Sequence, residues 1–84
     1  MTAFIYCHLK ADNFEPFYVG IGRKKSRAHD RRGRNRWHKH VVSAHGLEVN
    51  VFGELPDWEA AQWWEKRWIK ALKDAGYNLV NQTP

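Results

Sequence analysis

PFYVGIGRKKSRAHD, running from Pro16 to Asp30, decides the fold: a short strand, a glycine-spaced turn, then a run of arginine and lysine. Phe17, Val19 and Ile21 alternate with Tyr18 and Gly20, so a strand here puts the apolar residues on one face and Tyr18 on the other. Gly20 and Gly22 let the backbone turn tightly and admit a close approach, cheap for glycine and costly for any residue with a Cβ. Upstream, Ala3, Ile5, Cys7 and Leu9 alternate with Phe4, Tyr6 and His8, the pattern of a half-buried strand. Lys10 to Pro16 is a polar connection short enough to join the two strands as an antiparallel hairpin. With each apolar set packing one way, Tyr6 and Tyr18 fall together on the opposite face, two phenols beside a basic segment.

Downstream, the basic run predicts a short helix over about Lys24 to Arg31, interrupted at Gly33. A second helix is expected from about Arg34 to His45, where Trp37, His40, Val41 and Ala44 recur at helical spacing before Gly46. Leu47 to Glu54 alternates again and reads as a third strand. Leu55-Pro56-Asp57 turns into a long helix capped by Asp57 and ending near Ala75 and Gly76, followed by an irregular tail.

Eighty-four residues make room for one small domain, 1–84, which buries a modest fraction of its surface. Five Trp, four Phe and three Tyr offset this, because aromatics bury much area per residue. Cys7 is the single cysteine, which excludes an internal disulfide and fits a reducing compartment. No apolar run approaches the roughly 18 to 20 residues of a membrane span and no basic-then-apolar leader stands at the start, so a cytoplasmic protein without membrane contact is expected.

Charge distribution is more informative than its sum. Between Arg23 and Lys39 lie nine of the fourteen basic residues (Arg23, Lys24, Lys25, Arg27, Arg31, Arg32, Arg34, Arg36, Lys39) against one acid, Asp30. The window carries +8 of a chain whose net charge is +5. Such a block attracts a polyanion, and nucleic acid is the expected partner. A solvated basic loop is the plainer alternative.

In the last helix Trp58, Ala61, Trp64, Trp68, Ile69 and Leu72 form one apolar arc, with Glu65 near its middle. Burying a lone carboxylate costs several kcal/mol unless it is paired or coordinated. Glu65 is thus either the partner of an arginine in the basic block or a metal-ligating carboxylate facing the sheet. Trp63 points to the polar side.

Phe4-Ile5-Tyr6, Tyr18-Val19-Gly20, Arg27, Glu65 followed by Ile69, and Asn81 in Leu79-Val80-Asn81 resemble the ordered landmarks of a GIY-YIG nuclease domain. Phe17 to Asp30 with Arg34-Asn35-Arg36-Trp37 is similar to a phage-type branch of that family. The fold this resemblance implies, in agreement with the pattern read above, is α/β (α+β): a small three-stranded antiparallel sheet flanked by helices. It implies that Tyr6 helps deprotonate the attacking water, Tyr18 assists it or holds the phosphate, and Arg27 stabilises charge on the phosphoryl oxygens. Glu65 would hold one divalent cation, Mg²⁺ or Mn²⁺, and Asn81 would contact the sheet or the phosphate, with Asn78 as the alternative. Phe4 stands where the family has glycine, and Arg31 where it has His or Tyr; His29 is the nearest substitute, followed by His40 and His8.

The expected function is therefore a stand-alone, metal-dependent endonuclease hydrolysing DNA phosphodiesters. The alternative is a non-catalytic basic module of the same fold that binds DNA or RNA. Whether the DNA is duplex or branched stays open, and sequence preference would come from a homodimer or a larger assembly. A zinc site built from His29, His38, His40 and His45 matches no closed ligand spacing. Cys7 belongs to the apolar face of its strand, which argues against a thiol nucleophile.

Overall fold

The computed structural model describes residues 2–30 and 32–81. Along the chain run β1 (Ala3–Leu9), β2 (Pro16–Gly22), α1 (Ser26–His29), α2 (Arg36–His45), β3 (Glu48–Leu55) and α3 (Trp58–Asp74). The strands form one antiparallel sheet of order β2-β1-β3, an α+β arrangement with the first strand in the centre. No helix among the described residues is long and apolar enough to cross a membrane.

The hairpin alternation produces two distinct faces. Ile5, Cys7 and Val19 cluster with Ile69 of α3, and Leu9, Ile21, Leu55, Leu72 and Leu79 close around them. Cys7 is an apolar core residue here, and burial pushes its thiol up to about 11. On the other face Tyr6, His8 and Tyr18 lie under α1, α2 and the link between them.

One residue departs from the simple alternation. His8 pairs with Tyr18 and Leu9 with Pro16, so Phe17 is the extra residue of a β-bulge. Instead of joining Val19 and Ile21, its ring packs 5.2 Å from His38 and 6.2 Å from His8.

Helix boundaries follow local chemistry. Asn35 Oδ1 accepts from the His38 amide at 2.8 Å and Asp57 Oδ1 from the Ala60 amide at 2.8 Å, each satisfying an orphan donor of a first turn, worth about 1 kcal/mol. Gly46, at φ 76°, stops α2 in a conformation costly for other residues. Two apolar stripes differ from expectation. In α2, Trp37, His40 and Ala44 are exposed, and the inward stripe is His38, Val41, Val42 and His45. In α3, Ala61 and Ile69 are buried whereas Trp64 and Trp68 stay about 40 % exposed, because a three-stranded sheet is too narrow to cover the whole arc.

Candidate active site

Tyr6 stands in the central strand opposite Gly20 of β2. Its ring lies so flat over that glycine that a Cβ there would fall on the phenol oxygen, and would meet Cε1 at 2.8 Å. The absence of a side chain at Gly20 is what lets a tyrosine ring lie against the sheet, 1 % exposed. Tyr18, diagonal to it on the same face, has its ring centroid 6.3 Å away. The shared face expected for the two phenols is the one observed.

Arg34 lies between them. From the link joining α1 to α2 it donates through Nε to the Asp30 carbonyl (3.0 Å), through Nη2 to the Arg27 carbonyl (2.9 Å) and through Nη1 to Tyr18 Oη (3.2 Å). The guanidinium carbon is 5.1 Å from the Tyr18 ring and 5.5 Å from the Tyr6 ring, within cation–π range. Only 6 % of this arginine is exposed, so a residue expected among the surface cations is an internal strut. Burial raises the Tyr6 pKa and the neighbouring Tyr18 adds to the rise, while Arg34 and Arg27 oppose it.

Behind the phenols His8 and His38 form a buried pair, His8 Nδ1 to His38 Nε2 at 2.7 Å, and His8 Nε2 contacts the Ala28 carbonyl at 2.6 Å. A carbonyl only accepts, so His8 carries its proton on Nε2, and His38 Nε2–H donates to the free Nδ1. Burial lowers the His8 pKa to about 4, against the pull of the Ala28 carbonyl.

Beside the β2 edge Tyr18, Arg34, Asn35, Glu65 and Asn81 line a cavity of about 230 Å³ together with Gly33 and Ile69. Glu65 of α3 reaches it without a hydrogen bond or ion pair from any described residue, and burial raises its pKa, partly countered by Lys66. Asn81 acts as a strand partner: Oδ1 accepts from the Val19 amide at 3.1 Å and Nδ2 donates to the Val19 carbonyl at 2.8 Å. Val80 N–H also donates to the Phe17 carbonyl at 2.8 Å, and Asn35 Nδ2 to the Val80 carbonyl at 2.9 Å, tying α2 to the C-terminal segment. The Asn81 amide is thereby spent on the sheet edge; Asn78 is exposed.

The remaining residues of interest lie elsewhere. Arg27 of α1 donates to the Arg32 carbonyl at 3.1 Å and pairs with Asp30 at 3.7 Å. It borders a larger basic cavity of about 630 Å³ with Arg23, Lys24, His29, Arg32 and Trp58. His29 is exposed there, outside the aromatic cluster, and His40 is exposed on α2; the histidines that enter the cluster are His8 and His38. Lys25, Arg36 and Lys39 are exposed on the same segment, whereas Arg31 lies outside the described residues. Two participants had a sequence signal. Asn35 sits immediately before a helical pattern, the position of a side-chain cap. His38, Val41, Val42 and His45 fit the i, i+3, i+4, i+7 pattern, so the buried histidine was open to reading from periodicity. Nothing in charge or periodicity marked Arg34 for burial, since one arginine among nine basic residues looks like any other.

A single unpaired carboxylate in a polar cavity suits a hard cation that takes its other ligands from water and phosphate oxygens. Among the described residues no group of three or more His, Cys, Asp or Glu could hold a metal, and Glu65 is the one acid lining this cavity. No family model matches the chain, and no curated protein or solved structure matches it.

Proposed function

We propose that the chain is a GIY-YIG-type endonuclease that hydrolyses DNA phosphodiester bonds with one divalent cation, Mg²⁺ or Mn²⁺, bound at Glu65. The observation that carries this reading is the Glu65 carboxylate, unpaired among the described residues, sharing a cavity with the Tyr18 phenol and the Arg34 guanidinium. A half-buried carboxylate with no hydrogen bond or ion pair from a described residue is poorly solvated, and a ligand role explains its retention.

Glu65 would hold the cation, which when bound would supply positive charge at the phosphoryl oxygens and lower the pKa of a water molecule. Arg34 adds a fixed, preorganised charge where the phosphoryl group becomes more negative. Tyr18 is the phenol that lines the cavity; its oxygen accepts from Arg34, leaving its own proton directed at water or a phosphate oxygen. Tyr6, sealed behind Arg34 with a raised pKa, stays a neutral phenol near neutrality and acts by packing the guanidinium. The exposed cations Arg23, Lys24, Lys25, Arg32, Arg36 and Lys39 track the nucleic-acid backbone.

The test is incubation with supercoiled plasmid in Mg²⁺ and in chelator: nicked or linear product in Mg²⁺ alone is expected, and intact plasmid in both overturns the reading. Tyr18→Phe should cost about 10² or more in rate if this phenol serves as general acid or base.

The burial of Tyr6 favours a second reading, a non-catalytic DNA- or RNA-binding module. That reading predicts intact plasmid together with salt-sensitive binding, whose log–log slope is on the order of −4 for about five neutralised phosphates.

A further inference from the structure

The stripe of α3 turned away from the buried Ala61 and Ile69 carries two indoles where a solvated helix would ordinarily carry charge. Trp63 is 49 % exposed and Trp64 42 %, stacked edge to face with centroids 4.8 Å apart. Arg67 lies 3.8 Å over the Trp63 ring. Trp63 and Arg67 border, with Lys66 and Lys70, an open groove of about 510 Å³ along the helix, whose one acid is Glu59; Lys70 is held by Asp74 at 2.8 Å. Leaving indole surface in water costs free energy in proportion to area, and neither indole supports the core.

Aromatic rings interleaved with cations fit a partner that is at once polyanionic and flat-ringed. Duplex DNA offers the charge but keeps its base faces stacked away. We propose that this stripe binds single-stranded nucleic acid, with bases stacking on Trp63 and Trp64 and phosphates meeting Lys66 and Arg67. The groove lies on the outward side of α3, whereas α1 and α2 lie over the other sheet face and the basic segment reaches α3 at Arg23, which stacks 4.5 Å over Trp58, so the two surfaces engage different stretches of a substrate. A substrate with both a duplex and an unpaired strand would occupy both.

The experiment uses the full chain in chelator, so that it is independent of any cleavage. Fluorescence anisotropy compares oligo(dT) of about 15 nucleotides with an abasic strand of equal length and charge. The parent should bind oligo(dT) about tenfold more tightly than the abasic strand, a preference that phosphate contacts alone cannot produce. Trp63→Ala combined with Arg67→Gln, with a melting curve like the parent's, should bind both strands alike. Equal affinity of the parent for the two strands overturns the proposal, as does a folded variant that keeps the preference. Parent dimers in sedimentation that the variant abolishes, with no strand preference, would overturn it in favour of an interface between copies. Plasmid nicking reports on the Glu65 cavity separately.

Discussion

Tyr6 and Gly20 face each other across the hairpin so closely that the ring of one occupies the space a side chain on the other would need. Gly20→Ala should therefore displace the phenol, and with it the guanidinium that packs on the ring. Overpacking of this kind costs about 1–3 kcal/mol. For a domain of this size each kcal/mol lowers the melting temperature by roughly 4–8 °C. Adding Tyr6→Phe should not rescue the variant, since ring carbons as well as the oxygen meet the new methyl. Thermal melting of the single and double variants checks this.

Arg34 and Arg27 are seven residues apart, and their substitutions should behave differently. Arg34→Lys keeps the charge but cannot serve the Asp30 and Arg27 carbonyls and Tyr18 at once. Stability should fall by about 2 kcal/mol and nicking should be lost with it. Arg27 is partly exposed and pairs with Asp30 near the surface, so Arg27→Ala should cost less than about 1 kcal/mol. Urea titrations of the two variants measure the contrast.

Glu65→Gln preserves volume and removes the poorly solvated charge. The variant should be as stable as the parent or more so by about 1 kcal/mol, while nicking disappears. The raised folded pKa fixes the sign of the pH effect. The native state holds its proton to higher pH than the unfolded chain, so this group lowers stability as pH rises from the ordinary value of 4.5 through the raised one. The Gln variant should lack that decline, and Mg²⁺ should raise the melting temperature of the parent much more than of the variant. A Gln variant that melts far below the parent and still nicks would make Glu65 structural.

His8 works in the opposite direction. Its pKa is depressed from 6.5 to about 4, so between those values the unfolded chain binds a proton that the native state refuses. The contribution is complete above about pH 6.5 and is lost as pH falls toward 4, with a slope of up to about 1.4 kcal/mol per pH unit. His8→Gln should flatten melting temperature against pH in this window, although its overall stability is lower. Circular dichroism melts at several pH values decide the matter.

Alternation and punctuation in the chain already determined the three strands, the hairpin, the capped long helix and the common face of Tyr6 and Tyr18. These depend on period and on residues such as Asp57 and Gly46, whose effect extends no further than a turn. The bulge at Phe17 was not legible, because one unpaired residue leaves a strand's alternation looking intact until its partner strand is known. The choice of Arg34 over its basic neighbours, the pairing of His8 with His38 thirty residues away and the closing of the β2 edge by Asn81 arise only when distant segments meet. In an isolated chain every arginine of the basic segment is a solvated cation. Only tertiary packing selects one of them, by burying it where two carbonyls and a phenol satisfy its donors and leaving its neighbours in water.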